Sequence, residues 1–389
     1  MFSSRLPDNL RPNRLSELLA AKRRSGAAIL DLTESNPTRA GFTYPSGEIR
    51  RALADPRSLL YEPSPAGLAE AREAVACYYA ERGQAVEPER ILLTASTSEA
   101  YSYVFKLLCD SGDEALVPRP SYPLFGFLAE LESVRLTQYP LAYHGRWEMD
   151  LDALASAVTE RTRAVVIVNP NNPTGSFLKK DELRRLTELC AERKLAIISD
   201  EVFSDYAFGA DAERVTSLAS VEEVPTFCLS GLSKIAGLPQ MKLGWIALAG
   251  PTPWQSSARE RLELIADTYL SVGTPVQHAL PRLLALGAGV REQIAARVRA
   301  NLAFLRSAVH GTACRVLDVE GGWYAILEVP RTRSEEEWCA ELLDRDGVLV
   351  QPGFFYDFAS EAFLVVSLLP PEETFRKGIG RLLGRVGTF

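Results

Sequence analysis

The 389 residues carry 47% hydrophobic and 24% charged side chains, the balance of an ordinary globular chain, and at roughly 150 residues per domain they suffice for two to three domains' worth of core. A formal charge of -7 leaves no basic footprint for nucleic acid. Six dispersed cysteines with no CxxC pair argue against a zinc cluster or a disulfide framework, and no run reaches the roughly 18 apolar residues of a membrane span.

The chain starts with polar residues and then shows helical periodicity around 14 to 24, not a basic start followed by an apolar core, so a cytoplasmic address is expected. From about residue 60 the pattern alternates. A helix over 68–83 closing on Gly83 is followed by the strand "RILLT", the helix "SEAYSYVFKLLCDSG" and the strand "EALVP". Next come a helix "YPLFGFLAELESV", strands "RLTQYP" and "RAVVIV", a helix "KKDELRRLTELCAERK", and strands "LAIISDEV", "PTFCLSGLS" and "KLGWIALAG". Strands separated by helices, with near-continuous Val/Ile/Leu runs, predict an α/β domain with a mainly parallel sheet covered on both faces. After Pro251 two or three long helical segments lead into less strict alternation, which predicts a smaller α+β domain. The expected division is a large domain over 45–285 and a small one formed by 1–44 with 286–389.

Ligands of an open α/β sheet bind at the carboxyl ends of its strands, and four such ends are unusual. "RAVVIV" runs into Asn169-Pro-Asn-Asn-Pro-Thr-Gly175, a turn whose backbone is nearly fixed by its composition. "LAIIS" ends on Asp200-Glu201. "ILLT" leads through "ASTSEA" into a helix whose first amides favour an anion. "LSGLSKIAGLPQMKLGW" places Lys234 among small and apolar residues, with Lys242 eight positions on. Taken singly these are a turn, a helix cap, an N-cap backed by Glu99, and a snorkelling lysine. Together they offer an amine, an acid, an anion-binding helix start and a fixed amide, as a Schiff-base cofactor with a phosphate and a pyridine ring requires.

In this order and spacing, NPNNPTG, SDEVF and S-K-x-x-G-L-P-x-x-K-L-G-W make the chain similar to the class I/II aminotransferase family, the fold-type I enzymes dependent on pyridoxal 5'-phosphate (PLP). The resemblance implies a large domain with a mainly parallel seven-stranded sheet between helices, and a ping-pong transfer of an amino group between an amino acid and a 2-oxo acid. It implies that Lys234 forms the Schiff base and moves the proton, that Asp200 pairs with the pyridine nitrogen and that Asn172 bonds the ring oxygen. Tyr122 would stack on the ring, and Thr97, Ser98, Ser233 and Lys242 would contact the phosphate. Tyr61 would reach the phosphate of a neighbouring subunit, and Thr274 would approach the partner's site, implying a homodimer with shared active sites. No metal is implied.

Four positions depart from the family pattern. Lys242 stands where arginine is usual, losing the bidentate fork but keeping a cation. Phe203 replaces a tyrosine that donates to the ring oxygen. Val365, in "AFLVVSLL", stands where an arginine grips the substrate carboxylate, and Ser35 replaces a glycine. Either Arg39, Arg119 or Arg331 takes over, or the substrate is not an ordinary α-amino acid. The departure at Val365 keeps open a second reading, another PLP reaction on the same scaffold: a β-elimination lyase, a cyclase or hydroxylase of specialised metabolism, or a decarboxylase. A non-catalytic sensor is disfavoured by the acidic charge and by the presence of Lys234, Asp200 and Asn172.

Overall fold

The structure, a computed structural model, describes residues 2–7 and 11–387. Its strands, in chain order, are β1 (Leu30–Asp31), β2 (Ile91–Thr94), β3 (Glu114–Arg119), β4 (Arg135–Tyr143), β5 (Trp147–Met149), β6 (Thr162–Val168), β7 (Ala196–Asp200), β8 (Thr226–Gly231), β9 (Gly244–Ala249), β10 (Arg315–Val316), β11 (Tyr324–Glu328), β12 (Val348–Leu349), β13 (Gln351–Pro352) and β14 (Phe363–Ser367). The main sheet has the order β2-β9-β8-β7-β6-β3-β4-β5. The ladder from β8 through β4 is parallel, whereas β9 runs antiparallel to β8 and β2.

This sheet has eight strands, correcting the expected seven. The addition is β5, which folds back antiparallel on β4. Three residues are too short to show a period, and the hairpin is held by tertiary packing, the Tyr143 and Trp147 rings lying 5.0 Å apart.

The continuous apolar runs follow from burial on both faces. Along β6, Val165 and Ile167 join one core, while Ala164, Val166 and Val168 join another on the opposite face. The first core includes the helix Ala69–Ala80 and the second the helices Thr97–Leu108 and Thr252–Asp267.

A third core gathers around the four-stranded sheet β10-β11-β14-β13, the helices Glu335–Arg345 and Glu372–Val386, and the buried Trp323 and Trp338. The helix Arg14–Arg24 adds Leu15 to this core and pairs Lys22 with Asp344 at 2.8 Å. The helical segments expected after residue 274 are one helix, Thr274–Ala308, with Pro281 inside it. The proline suggests an interruption, but burial on both sides carries the helix through. Val276, Leu280 and Leu283 belong to the first core, and Val290, Ile294 and Leu302 to the third. No helix among the described residues is long and apolar enough to cross a membrane.

Candidate active site

The carboxyl ends of β6, β7 and β8 and the loops flanking β2 and β9 border a cavity of about 320 Å³. Eight of the nine residues singled out for catalysis or cofactor binding line it: Thr97, Ser98, Tyr122, Asn172, Asp200, Ser233, Lys234 and Lys242.

Lys234 lies in the short helix Leu232–Ile235 that follows β8. Its backbone carbonyl accepts from the Tyr206 hydroxyl at 2.6 Å, which ties this turn to the segment after β7. The ammonium nitrogen lies 5.0 Å from the centre of the Trp323 ring and 5.5 Å from that of Phe203. Desolvation lowers its pKa, with the charge of Asp200 acting in the opposite sense. An amine so placed is easier to deprotonate than a surface lysine.

Asp200 ends β7 and is only 7% exposed. One carboxylate oxygen accepts from the backbone N–H of Val202 at 3.2 Å and the other from the Tyr101 hydroxyl at 3.2 Å. Burial raises its pKa to about 6, against the opposing pull of Val202, Tyr101 and Lys234. Glu201, the next residue, is held by Ser199, Ser217 and the N–H of Leu218 and does not line the cavity. The pair of acids therefore divides into one that faces the cavity and one that braces the fold.

The asparagines of the NPNNPTG turn divide in the same way. Asn169 donates to the carbonyl of Val215 and accepts from the N–H of Leu178, and Asn171 bonds Pro120, Thr174 and Ser121. Asn172 has a buried amide oxygen with no partner inside the protein. Such an atom is costly unless something completes it. Gly175, with φ of +69°, closes the turn where a Cβ would overlap Val319 and the Gly321 carbonyl.

At the other end, the helix Thr97–Leu108 is capped by the Ser96 hydroxyl, which accepts from the N–H of Glu99 at 3.2 Å. The N-cap reading is correct, and the first turn still lines the cavity with Thr97 and Ser98. A Cβ on Gly244 would stand 3.2 Å from the N of Thr97, so glycine lets β9 and this helix start approach. Ser233 and Lys242 complete a set of hydroxyls and one cation suited to an anion.

Tyr61 is not brought to this cavity. It is 75% exposed and lines a separate surface cavity of about 160 Å³, together with Thr274 and Leu270. Val365 is fully buried in an apolar cluster with Trp147, Leu317, Ile326 and Tyr356. Arg39, Arg119 and Arg331 do not line the cavity, whereas Ser35 does, beside Tyr324 of β11. Phe203 lies edge-on to Trp323 at 5.2 Å.

Sequence reasoning missed Tyr101, Trp323 and Tyr324. Tyr101 sits one turn after Thr97-Ser98, where helical spacing could have flagged it. Trp323 and Tyr324 come from the third core, and no local pattern announces that contact. The cavity fits PLP: it joins a desolvated amine, a buried carboxylate, an amide with an open valence and an anion-binding helix start.

The sequence profile of the family described as "Aminotransferase class I and II" matches residues 27–382. Glutamate-pyruvate aminotransferase AlaA of Escherichia coli K12 is 33% identical over 261 residues, a match spanning 67% of this chain and 64% of that relative. Alanine aminotransferase of Mycobacterium tuberculosis H37Rv is 27% identical, with coverage of 92% and 85%. Among solved structures, an aminotransferase from Escherichia coli superposes with a TM-score of 0.88 at 25% identity, covering 100% of this chain and 98% of that one.

Proposed function

The chain belongs to the class I and II aminotransferases, whose cofactor is PLP, and from that membership we propose that it moves an amino group between an amino acid and a 2-oxo acid in a ping-pong sequence. The observation that carries this reading is the convergence of Lys234, Asp200 and Asn172 on one cavity. The names of the two curated relatives support transamination over elimination or decarboxylation.

When bound, PLP supplies a carbonyl carbon that takes up the amino group and a ring that withdraws electrons from the substrate's α-carbon. Lys234 would hold the cofactor covalently and would supply the amine that takes and returns the substrate's α-proton. Asp200 sets a negative charge against the ring nitrogen. Asn172 would donate its amide N–H to the ring oxygen, a bond to which Phe203 adds no hydroxyl, and Tyr122 would pack against the ring. Thr97, Ser98, Ser233 and Lys242 would hold the phosphate, Lys242 as a point charge.

We further propose a homodimer. Leu59, Leu60 and Tyr61 are 93%, 61% and 75% exposed, and Tyr61 shares its surface cavity with Thr274, the other residue assigned to a partner's site. Apolar side chains so placed favour coverage by a second subunit. The division into 45–285 and 1–44 with 286–389 is kept as a proposal, supported by the change of core along the helix Thr274–Ala308. The expected compartment is the cytoplasm, in keeping with the cysteines being free thiols, four of them buried.

The deciding experiment records the absorption spectrum of the holoenzyme before and after addition of single amino acids, with Lys234→Ala as control. Lysine-dependent conversion to pyridoxamine phosphate is the expected result. Release of ammonia or carbon dioxide without pyridoxamine phosphate would replace transamination by another PLP reaction.

A further inference from the structure

Tyr101 carries no role in the reading of the motifs, yet its hydroxyl reaches Asp200, the carboxylate at the centre of the site. The residue is 1% exposed and lies in the helix Thr97–Leu108, three and four positions after the hydroxyls at Ser98 and Thr97. Residues at that spacing occupy one helix face, so a single rigid element presents hydroxyls to the anion end of the cavity and a phenol to its acid end. The ring of Tyr101 is fixed by Phe125 at 5.4 Å and Phe105 at 6.0 Å, and Phe125 in turn meets Tyr122 at 5.7 Å.

The Tyr101 oxygen donates to one carboxylate oxygen of Asp200 at 3.2 Å, while the N–H of Val202 donates to the other, also at 3.2 Å. Each carboxylate oxygen can accept more than one hydrogen bond. The two donors thus fix the plane of the carboxylate and leave acceptor capacity for a protonated ring nitrogen. On the assignment of PLP to this cavity, we propose that Tyr101 is a positioning residue for the cofactor, holding Asp200 oriented and ionised opposite the pyridine nitrogen.

The charged and titratable groups acting on Asp200 come from three elements. Tyr101 lies on the helix Thr97–Leu108, Tyr122 on the segment after β3, and Lys234 on the turn after β8. Among the described residues, only Tyr101 donates a side-chain hydrogen bond to it. Without that donor, burial raises the Asp200 carboxyl further, and the ionised fraction available to PLP falls first on the acidic side of neutrality.

The test uses Tyr101→Phe, which keeps the ring and its packing. The dissociation constant of PLP is measured by titrating apoenzyme between pH 5.5 and pH 8.5, in the natural and in the Asp200→Asn background. Loss of a hydrogen bond to a charged group weakens binding about tenfold. The expected loss is largest at the acid end, and it shrinks to less than about twofold when Asp200 is already asparagine, because the coupling belongs to the pair. An equal loss in both backgrounds would make Tyr101 a packing residue and overturn the inference, as would unchanged binding. Failure of the natural protein to bind PLP would instead remove the assignment on which the inference rests.

Discussion

Burial raises the Asp200 carboxyl from an ordinary 3.8 to about 6, so at neutral pH the fold holds an ionised group where water is scarce. Between about pH 4 and pH 6 the folded apoprotein binds more protons at this site than the unfolded chain, and stability falls as pH rises through that window. Above it the loss is complete, at roughly 3 kcal/mol for a shift of about two units. Asp200→Asn should therefore raise the melting temperature of the apoprotein at pH 8 and change it little at pH 4. Equal effects at both values, read by scanning fluorimetry, would contradict this account. Lys234→Ala should lower transamination by at least about a hundredfold, the lower bound for losing a positioned acid and base. It should also abolish the mass increase after borohydride reduction, read by mass spectrometry of the intact protein. Each of these two residues alone could be a helix cap or a snorkelling lysine, and they became legible only together, as an acid and an amine at the carboxyl ends of two apolar strands.

At the scale of the element, the NPNNPTG turn joins two cores. Its glycine lies against Val319 and Gly321, and Lys179, just after the turn, pairs with Asp211 at 2.7 Å and Glu320 at 2.6 Å. Gly175→Ala combines a positive φ with a steric overlap, and the strain should cost about 1–3 kcal/mol, measured by urea unfolding of the holoenzyme. Weaker PLP retention should accompany it, since Asn172 shares the turn. Elements with a clear pattern, such as the continuous apolar run of β6 and the helical period of Thr97–Leu108, could be read from their residues. Others were hidden for physical reasons. The strand β5 exists through its pairing with β4, and the helix Thr274–Ala308 passes a proline that local propensity would use to stop it. Val365 could be recognised as a missing arginine, but not as part of an apolar cluster with Trp147, 218 residues earlier in the chain. Tyr324 enters the site only because the sheet β10-β11-β14-β13 closes on it.

For the whole molecule, the exposed Leu59, Leu60 and Tyr61 have a simple consequence. On the proposed homodimer, Leu59→Asp with Leu60→Asp should shift the protein from dimer toward monomer in analytical ultracentrifugation, and PLP affinity should fall with it if Tyr61 completes the neighbouring site. An unchanged dimer would place the interface elsewhere, and an unsubstituted protein that sediments as a monomer would overturn the proposed dimer. The 35-residue helix Thr274–Ala308 bears on a different property. At 1.5 Å per residue it is a rod of about 52 Å, whose first half is buried with the large sheet and whose second half is buried with the small one. Unfolding either core strips its half of the helix of lateral packing up to the middle turns, where the other core begins. Heat should therefore be absorbed in one calorimetric peak, with the van't Hoff and calorimetric enthalpies in agreement. A single peak would show that the helix couples the two proposed bodies into one thermodynamic unit, and two peaks would show that they melt separately.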